Sequence, residues 1–183
     1  MPTVVLPGIG GSGETHWQTL WEAEDPSFKR FAPSNWDAPD LADWIEALDR
    51  SLSDSEEPPV LIAHSLACLL VAHAAPRIAS KVGGAFLVAV PDPDGPSFPA
   101  EASSFGMAPS RPLSFPSLIV ASGNDPYGSL DYARRRAREW NAGFVEMGNL
   151  GHINGSSGLG SWMEGRRLYG AFRAGLRLGS RAP

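Results

Sequence analysis

The sequence predicts an α/β fold with three layers, in which a mostly parallel sheet of about six strands has helices on both faces. Short apolar segments alternate along the chain with longer amphipathic segments, as expected when a crossover helix follows each strand. The 20 glycines and 17 prolines of the 183 residues fall between these segments. A chain of this length with 43% hydrophobic residues can bury a core without disulfides or metals. We therefore expect one domain over residues 1–178 and a frayed tail at 179–183.

Six apolar runs are the predicted strands. The run Val60-Leu61-Ile62 is typical of a central parallel strand that is buried on both faces. The six runs cover residues 3–6, 28–32, 59–63, 84–90, 115–122 and 143–147.

Five segments between or after these strands have helical spacing. Side chains that accept hydrogen bonds from the first turn are expected to cap three of them, namely Thr15, Asp40 and Ser129. The helix over 66–79 should be disrupted near Pro76, because proline lacks an N–H group. The other helices are predicted from His16, from Leu41, over 130–140 and over 161–176. Residues 91–112 are rich in Pro, Ser and Gly and predict a long loop, too short for a multi-helix cap.

Composition excludes several classes of protein. The 15 basic and 20 acidic residues leave a net charge of −5, which argues against a nucleic-acid partner. Cys68 is the single cysteine, so neither an internal disulfide nor a Cys-based zinc site can form. No run of 18 apolar residues is present to span a membrane, and the amino terminus has no secretory signal. We expect a cytoplasmic protein that acts on a small molecule and needs no metal or cofactor.

Three polar residues follow three different predicted strands, at the edge of the sheet where ligands bind in parallel α/β folds. Ser65 lies in a tight strand-to-helix turn between the small residues Ala63 and Ala67, where a serine hydroxyl would be exposed. A serine nucleophile needs a base, and the base needs an acid that orients it. Asp125 and His152 complete the chain order Ser, Asp, His that is expected on this architecture. These three residues are the predicted catalytic set.

The loop after the first strand supplies hydrogen-bond donors for a tetrahedral intermediate. Its sequence is Gly8-Ile9-Gly10-Gly11, and its backbone N–H groups are free to face a ligand. We expect the amides of Ile9 and Leu66 to form the oxyanion hole, with Gly10 as an alternative to Ile9. The predicted substrate pocket is completed by residues near this loop and near the acid, namely Gly10, His16, Trp17 and Tyr127.

These motifs give the sequence a resemblance to the small α/β-hydrolases of the retinoblastoma-binding-protein-9/YdeN-like family. The resemblance covers nearly the whole chain and rests on Leu6-Pro7-Gly8, His16-Trp17, His64-Ser65-Leu66, Asp125-Pro126-Tyr127 and Gly151-His152-Ile153-Asn154. It implies an α/β-hydrolase fold with little or no cap, a Ser65–His152–Asp125 triad and esterase-like activity on an ester or a related acyl bond. The sequence departs from the family at Ala63 and Ala67, where many members have glycine.

Other interpretations remain open at this stage. An inactive hydrolase fold that serves as an interaction module is one of them, because a fold does not fix a function. A nucleotide site is another, since Gly8, Gly10 and Gly13 match G-x-G-x-x-G and Asp37 lies 24 residues further on. Asp92 follows a predicted strand and is the rival acid. The histidine beside the nucleophile, His64, is interpreted as a packing residue.

Overall fold

The computed structural model describes residues 1–179 and contains a sheet of six parallel strands. The strand order is β2-β1-β3-β4-β5-β6. This sheet confirms the predicted fold class, and each strand begins and ends within two residues of the predicted run. The strands are β1 (Thr3–Leu6), β2 (Phe28–Arg30), β3 (Val60–His64), β4 (Gly84–Val88), β5 (Ser117–Ala121) and β6 (Gly143–Glu146). Residues 180–183 of the predicted tail lie outside the described residues.

Five α-helices connect or follow the strands: α1 (Trp17–Glu24), α2 (Leu41–Ser53), α3 (Leu66–Ile78), α4 (Leu130–Glu139) and α5 (Met163–Gly179). The side chains of Asp40 and Ser129 cap α2 and α4 as predicted. The predicted cap of α1 is wrong. Nδ1 of His16, not the hydroxyl of Thr15, accepts the hydrogen bond from the backbone N–H of Gln18.

Two further expectations about local structure fail because tertiary packing overrides the sequence signal. Helix α3 continues through Pro76 to Ile78, since the proline lies in the last turn and Ala75 and Ile78 beside it are buried in the core. The predicted loop over 91–112 contains a short 3₁₀-helix, Ala100–Phe105. Phe105 anchors this helix by packing edge-to-face on Trp44 of α2, with ring centroids 5.3 Å apart.

The helices divide into two layers, one on each face of the sheet. Helices α2, α3 and α4, together with the 3₁₀-helix, bury their apolar side chains against one face. Helices α1 and α5 cover the opposite face with an aromatic cluster that includes Trp17, Trp21 and Tyr169. None of the helices in the described part of the chain is long and apolar enough to cross a membrane.

Strand register places several loops at one edge of the sheet. Leu6 of β1 pairs with Ala63 of β3, and His64 pairs with Val88 of β4. The loops that follow these strands therefore leave the sheet side by side at its carboxyl edge. Ser65 stands at this edge, directly after β3.

Candidate active site

Ser65 occupies a strained turn between β3 and α3. Its backbone angles are φ 54° and ψ −125°, a conformation that is costly for any residue except glycine. The N–H of Ser65 donates to the carbonyl of Val88 at 2.9 Å, and the hydroxyl makes no capping bond to α3. The turn lifts the side chain off the helix and leaves it free for another partner. The small residues Ala63 and Ala67 are both fully buried beneath it, so alanine is compatible with the turn at these positions.

The loop after β1 packs directly against this turn. A Cβ atom added to Gly8 would lie 2.9 Å from Cβ of Ser65 and 3.1 Å from the carbonyl oxygen of His64. Both distances are too short for ordinary contact, so only glycine allows the loop to approach this closely. The close approach brings the backbone amides after Gly8 next to Ser65.

The structure brings the three predicted catalytic residues into one chain of hydrogen bonds. Nε2 of His152 lies 2.8 Å from Oγ of Ser65. Nδ1 of the same ring lies 2.8 Å and 2.9 Å from the two carboxylate oxygens of Asp125. The side chains of His152 and Asp125 are 8% and 2% exposed, so little water reaches these bonds. The rival acid, Asp92, instead accepts a hydrogen bond from the N–H of Asp94 in its own loop.

A set of polar contacts holds the two loops that carry Asp125 and His152. Oδ1 of Asn124 accepts hydrogen bonds from the N–H of Gly151 at 2.7 Å and from the hydroxyl of Ser122 at 3.0 Å. The hydroxyl of Ser122 in turn accepts from the N–H of Leu150 at 2.8 Å. The sequence does not single out Ser122 and Asn124, because ordinary turn residues carry no local sign of a distant partner.

His64 supports the backbone of His152. Its Nε2 lies 2.9 Å from the carbonyl oxygen of His152, and since a carbonyl oxygen only accepts, the ring donates from this nitrogen. Burial holds the pKa of His64 well below its usual value, which keeps the ring neutral. Its contact with His152 is a specific hydrogen bond rather than packing alone.

The ring of His16 lies beside that of His64, with ring centroids 4.7 Å apart, and it is also neutral. Burial, followed by the charge of Arg30, lowers the pKa of His16 to about 4. Nδ1 accepts the capping bond from Gln18, so the proton of the neutral ring is on Nε2. That Nε2 is buried without a hydrogen-bond partner among the described residues.

We expect this neutral histidine to make the protein less stable in mild acid. The unfolded chain binds a proton at His16 below about pH 6.5, whereas the folded protein binds it only below about pH 4. Stability contributed by the neutral ring is therefore present above pH 6.5 and is lost as the pH falls towards 4. The full loss corresponds to about 3 kcal/mol in the free energy of unfolding.

Urea unfolding at several pH values measures this effect. His16→Asn keeps an acceptor for the N–H of Gln18 but cannot titrate, so the slope of stability against pH between 6.5 and 4 should become shallower. The buried His64 contributes in the same direction in both proteins. An unchanged slope in the variant would show that His16 is not the group responsible.

The structure favours Ile9 over Gly10 as the second donor of the predicted oxyanion hole. The N–H of Gly10 already donates to the carbonyl of Trp36 at 3.1 Å. Over residues 1–179, neither the amide of Ile9 nor that of Leu66 donates such a backbone hydrogen bond. Both residues line the cleft at Ser65, so their amides are available to a ligand.

The same loop lacks the arrangement of a dinucleotide site. Its glycines lie in and around a one-turn 3₁₀-helix, Ile9–Gly11, and α1 begins only at Trp17. A dinucleotide's pyrophosphate is bound by a helix that starts within the glycines. Asp37 lies in an exposed turn well beyond the end of β2.

A cleft of about 370 Å³ opens at Ser65. Of the predicted pocket residues, Gly10, His16 and Tyr127 line it. Trp17 does not, which corrects the prediction for this residue. Its indole is 1% exposed in the aromatic cluster under α1, and its Nε1 donates to the carbonyl of Ile153 at 2.7 Å.

Metal-ligating side chains are not clustered within residues 1–179. No group of three or more His, Cys, Asp or Glu side chains in this range could hold a metal ion.

Comparisons with known proteins match this chain to a family of hydrolases. The family model described as serine hydrolase matches residues 3–171. A crystal structure described as a YdeN-like hydrolase from Pectobacterium atrosepticum is 32% identical, with a TM-score of 0.86 over 96% of this chain and 91% of that chain. The ydeN gene product of B. subtilis is 20% identical, with a TM-score of 0.77 over 95% of this chain and 100% of that chain.

A more distant structure shares the fold alone. It is the esterase domain of a Rhodothermus marinus protein, 16% identical, with a TM-score of 0.66 over 94% of this chain and 87% of that chain. A comparison with curated protein sequences finds no match.

Proposed function

The chain belongs to the serine hydrolase family, and from this premise we propose that it cleaves a small acyl ester, or a related acyl bond, through an acyl-enzyme on Ser65. The observation that carries the proposal is the unbroken hydrogen-bonded chain from Ser65 through His152 to Asp125. The substrate is a small molecule, because the cleft of about 370 Å³ is at the lower end of the range for ligand sites.

The hydrogen bonds support a separate role for each of the three side chains. The carboxylate of Asp125 accepts the proton of Nδ1, which leaves Nε2 of His152 as an acceptor for the hydroxyl of Ser65. His152 takes that proton as Ser65 Oγ attacks the carbonyl carbon, and Asp125 stabilises the imidazolium that forms. His152 then returns the proton to the leaving group. Water enters, gives its proton to His152, and cleaves the acyl-enzyme in the same way.

The negative charge that develops on the carbonyl oxygen needs fixed donors. The amides of Ile9 and Leu66 flank Ser65, and their positions are set by the close packing of Gly8 on the turn. Donors that are already in place stabilise the tetrahedral intermediate without reorganisation during the reaction. These two amides are the proposed oxyanion hole.

Removing the amide proton of Ile9 tests this assignment. Ile9→Pro is expected to lower kcat by about 10²–10³, the usual effect of losing one oxyanion donor. Proline is tolerated in the first turn of a helix, and Ile9 starts the short 3₁₀-helix. Ile9→Ala is the matched control, because it shortens a side chain that is 37% exposed but keeps the N–H. Equal rates for the two variants would exclude Ile9 as a donor.

The decisive experiment for the proposed function combines a reactive probe with a simple substrate. The purified protein should hydrolyse p-nitrophenyl acetate and should be labelled at Ser65 by a fluorophosphonate. Failure of both reactions in a folded sample would favour the inactive interaction module instead. The cytoplasmic location and the lack of a nucleic-acid partner stay predictions from the sequence.

A further inference from the structure

One side of the cleft is apolar. Its residues come from the start of α3 and from the loop after β4, namely Leu66, Pro91, Phe98 and Pro99. This loop continues into the 3₁₀-helix Ala100–Phe105, which buries Ala102 and Phe105 against the layer formed by α2, α3 and α4. Phe98 also packs against that layer. The apolar wall therefore stands on the α3 side of the sheet edge.

The opposite side is polar. Its side chains come from the segments that lead into α1 and α5, the helices on the other face of the sheet, namely Ser12, Thr15, Asn154 and Ser156. The two segments touch, because a Cβ atom at Gly155 would lie 3.0 Å from the hydroxyl oxygen of Thr15. They form a continuous polar wall that faces the apolar one.

The polar wall is uncharged. Neither Asp, Glu, Lys nor Arg is among the residues that line the described cleft, and burial keeps the nearby His16 and His64 neutral. The side chains of Thr15 and Ser156 are exposed, and each hydroxyl both donates and accepts hydrogen bonds. Such a surface complements the hydroxyl groups of a neutral alcohol and offers no ion pair to a charged one.

The position of His152 decides which part of an ester faces which wall. Its Nε2 must reach the oxygen of the leaving group in order to protonate it. The chain runs from His152 directly into the polar wall at Asn154 and Ser156, so the leaving group is placed against that wall. The acyl group then extends towards Phe98 and Pro91.

We propose that the cleft binds short-chain acyl esters of neutral, polyhydroxylated alcohols, with the acyl chain on the Phe98 wall and the alcohol on the wall formed by Thr15 and Ser156. This inference rests on the proposed function. In the reaction, Oγ of Ser65 bonds to the acyl carbon as the ester C–O bond breaks, and the serine proton passes through His152 to the departing alcohol. Water then releases the carboxylic acid and restores the Ser65 hydroxyl, so no other reactant is needed.

A leaving-group series with a constant acyl group tests the polar wall. The substrates are monoacetylglycerol, hexyl acetate and p-nitrophenyl acetate, assayed with the full chain. We expect kcat/KM for monoacetylglycerol to exceed that for hexyl acetate by about tenfold, the effect of one or two neutral hydrogen bonds. Equal values, or a preference for hexyl acetate, would overturn the inference while cleavage of p-nitrophenyl acetate kept the proposed function intact. Loss of all three activities would overturn both.

Single substitutions then test which side chains cause the preference for monoacetylglycerol over hexyl acetate. Ser156→Ala and Thr15→Val should each lower the ratio of monoacetylglycerol to hexyl acetate activity by about fivefold. Ser53→Ala, which removes an exposed hydroxyl at the end of α2, is the matched control and should leave the ratio unchanged. A ratio that moves equally in all three variants would contradict the assignment of the polar wall.

An acyl series on p-nitrophenol tests the apolar wall in the same way. Rates should fall from acetate or butyrate towards octanoate, and Phe98→Ala should shift the preference towards longer chains. Met107→Ala is the control, because Met107 is 92% exposed in the same loop and outside the cleft. An unchanged chain-length profile in Phe98→Ala would overturn the placement of the acyl group.

Discussion

Replacing Ser65 by alanine is expected to lower kcat for p-nitrophenyl acetate by about 10⁵–10⁶ and to abolish labelling by a fluorophosphonate. The hydroxyl is the group that would form the covalent intermediate, and within residues 1–179 no other side chain is hydrogen-bonded to Nε2 of His152. Stability should change little, because the hydroxyl does not cap α3. Steady-state kinetics and intact-protein mass spectrometry measure the two effects.

Ser104 offers a matched control within the same chain. The segment Ala102-Ser103-Ser104-Phe105-Gly106 has the same loose spacing of small residues around a serine. In the structure, however, Ser104 lies in the 3₁₀-helix, where its hydroxyl accepts a hydrogen bond from the N–H of Leu41 at 3.1 Å. Ser104→Ala should leave kcat within about twofold of the natural value, because that bond is remote from the cleft. A Ser65→Ala protein that retained a tenth of the activity would contradict the proposed mechanism.

The fold could be predicted closely because buried parallel strands carry a strong local signal. A run such as Val60-Leu61-Ile62 is apolar at every position, and it is fully buried in the structure. The features that the sequence did not predict, such as the 3₁₀-helix and the cap of α1, depend instead on contacts between residues far apart in the chain. Phe105 folds a proline-rich segment into a short helix only because Trp44 is available to cover it. The capping of α1 by His16 likewise depends on the buried surroundings of its ring.

The residues of the candidate site fall into the same two groups, those with a local sequence signal and those that depend on distant contacts. Ser65, Asp125 and His152 could be picked out because each is a reactive side chain in a turn or loop that follows a strand. Their supports could not, because a residue such as Asn124 shows its role only through hydrogen bonds to another loop. Trp17 was misplaced for a related reason, since an aromatic residue near a binding loop has the same sequence signal whether it faces the cleft or the core.

Asp125→Asn is expected to lower kcat by about 10⁴ without unfolding the protein. Oδ1 of Asp125 accepts hydrogen bonds from the N–H of Tyr127 at 2.9 Å and from Nδ1 of His152 at 2.8 Å. If asparagine keeps its oxygen on the N–H of Tyr127, its NH₂ group takes the place of Oδ2, which lies 2.9 Å from Nδ1 of His152. That amide donates to Nδ1 and moves the ring proton to Nε2. The ring then cannot accept the proton of Ser65, so the loss falls on the chemical step.

The same substitution at Asp92 separates this effect from a general loss of negative charge at the sheet edge. Asp92→Asn removes one carboxylate from the loop after β4, yet Asp92 is bonded to the N–H of Asp94 rather than to His152. Its kcat should therefore stay near the natural value, and both variants should have similar melting temperatures. A larger loss at Asp92 than at Asp125 would reassign the acid to the earlier strand. Asn and Asp have the same shape, so the difference in kcat between the two variants depends on the direction of one hydrogen bond at His152. The proposed mechanism rests on that direction.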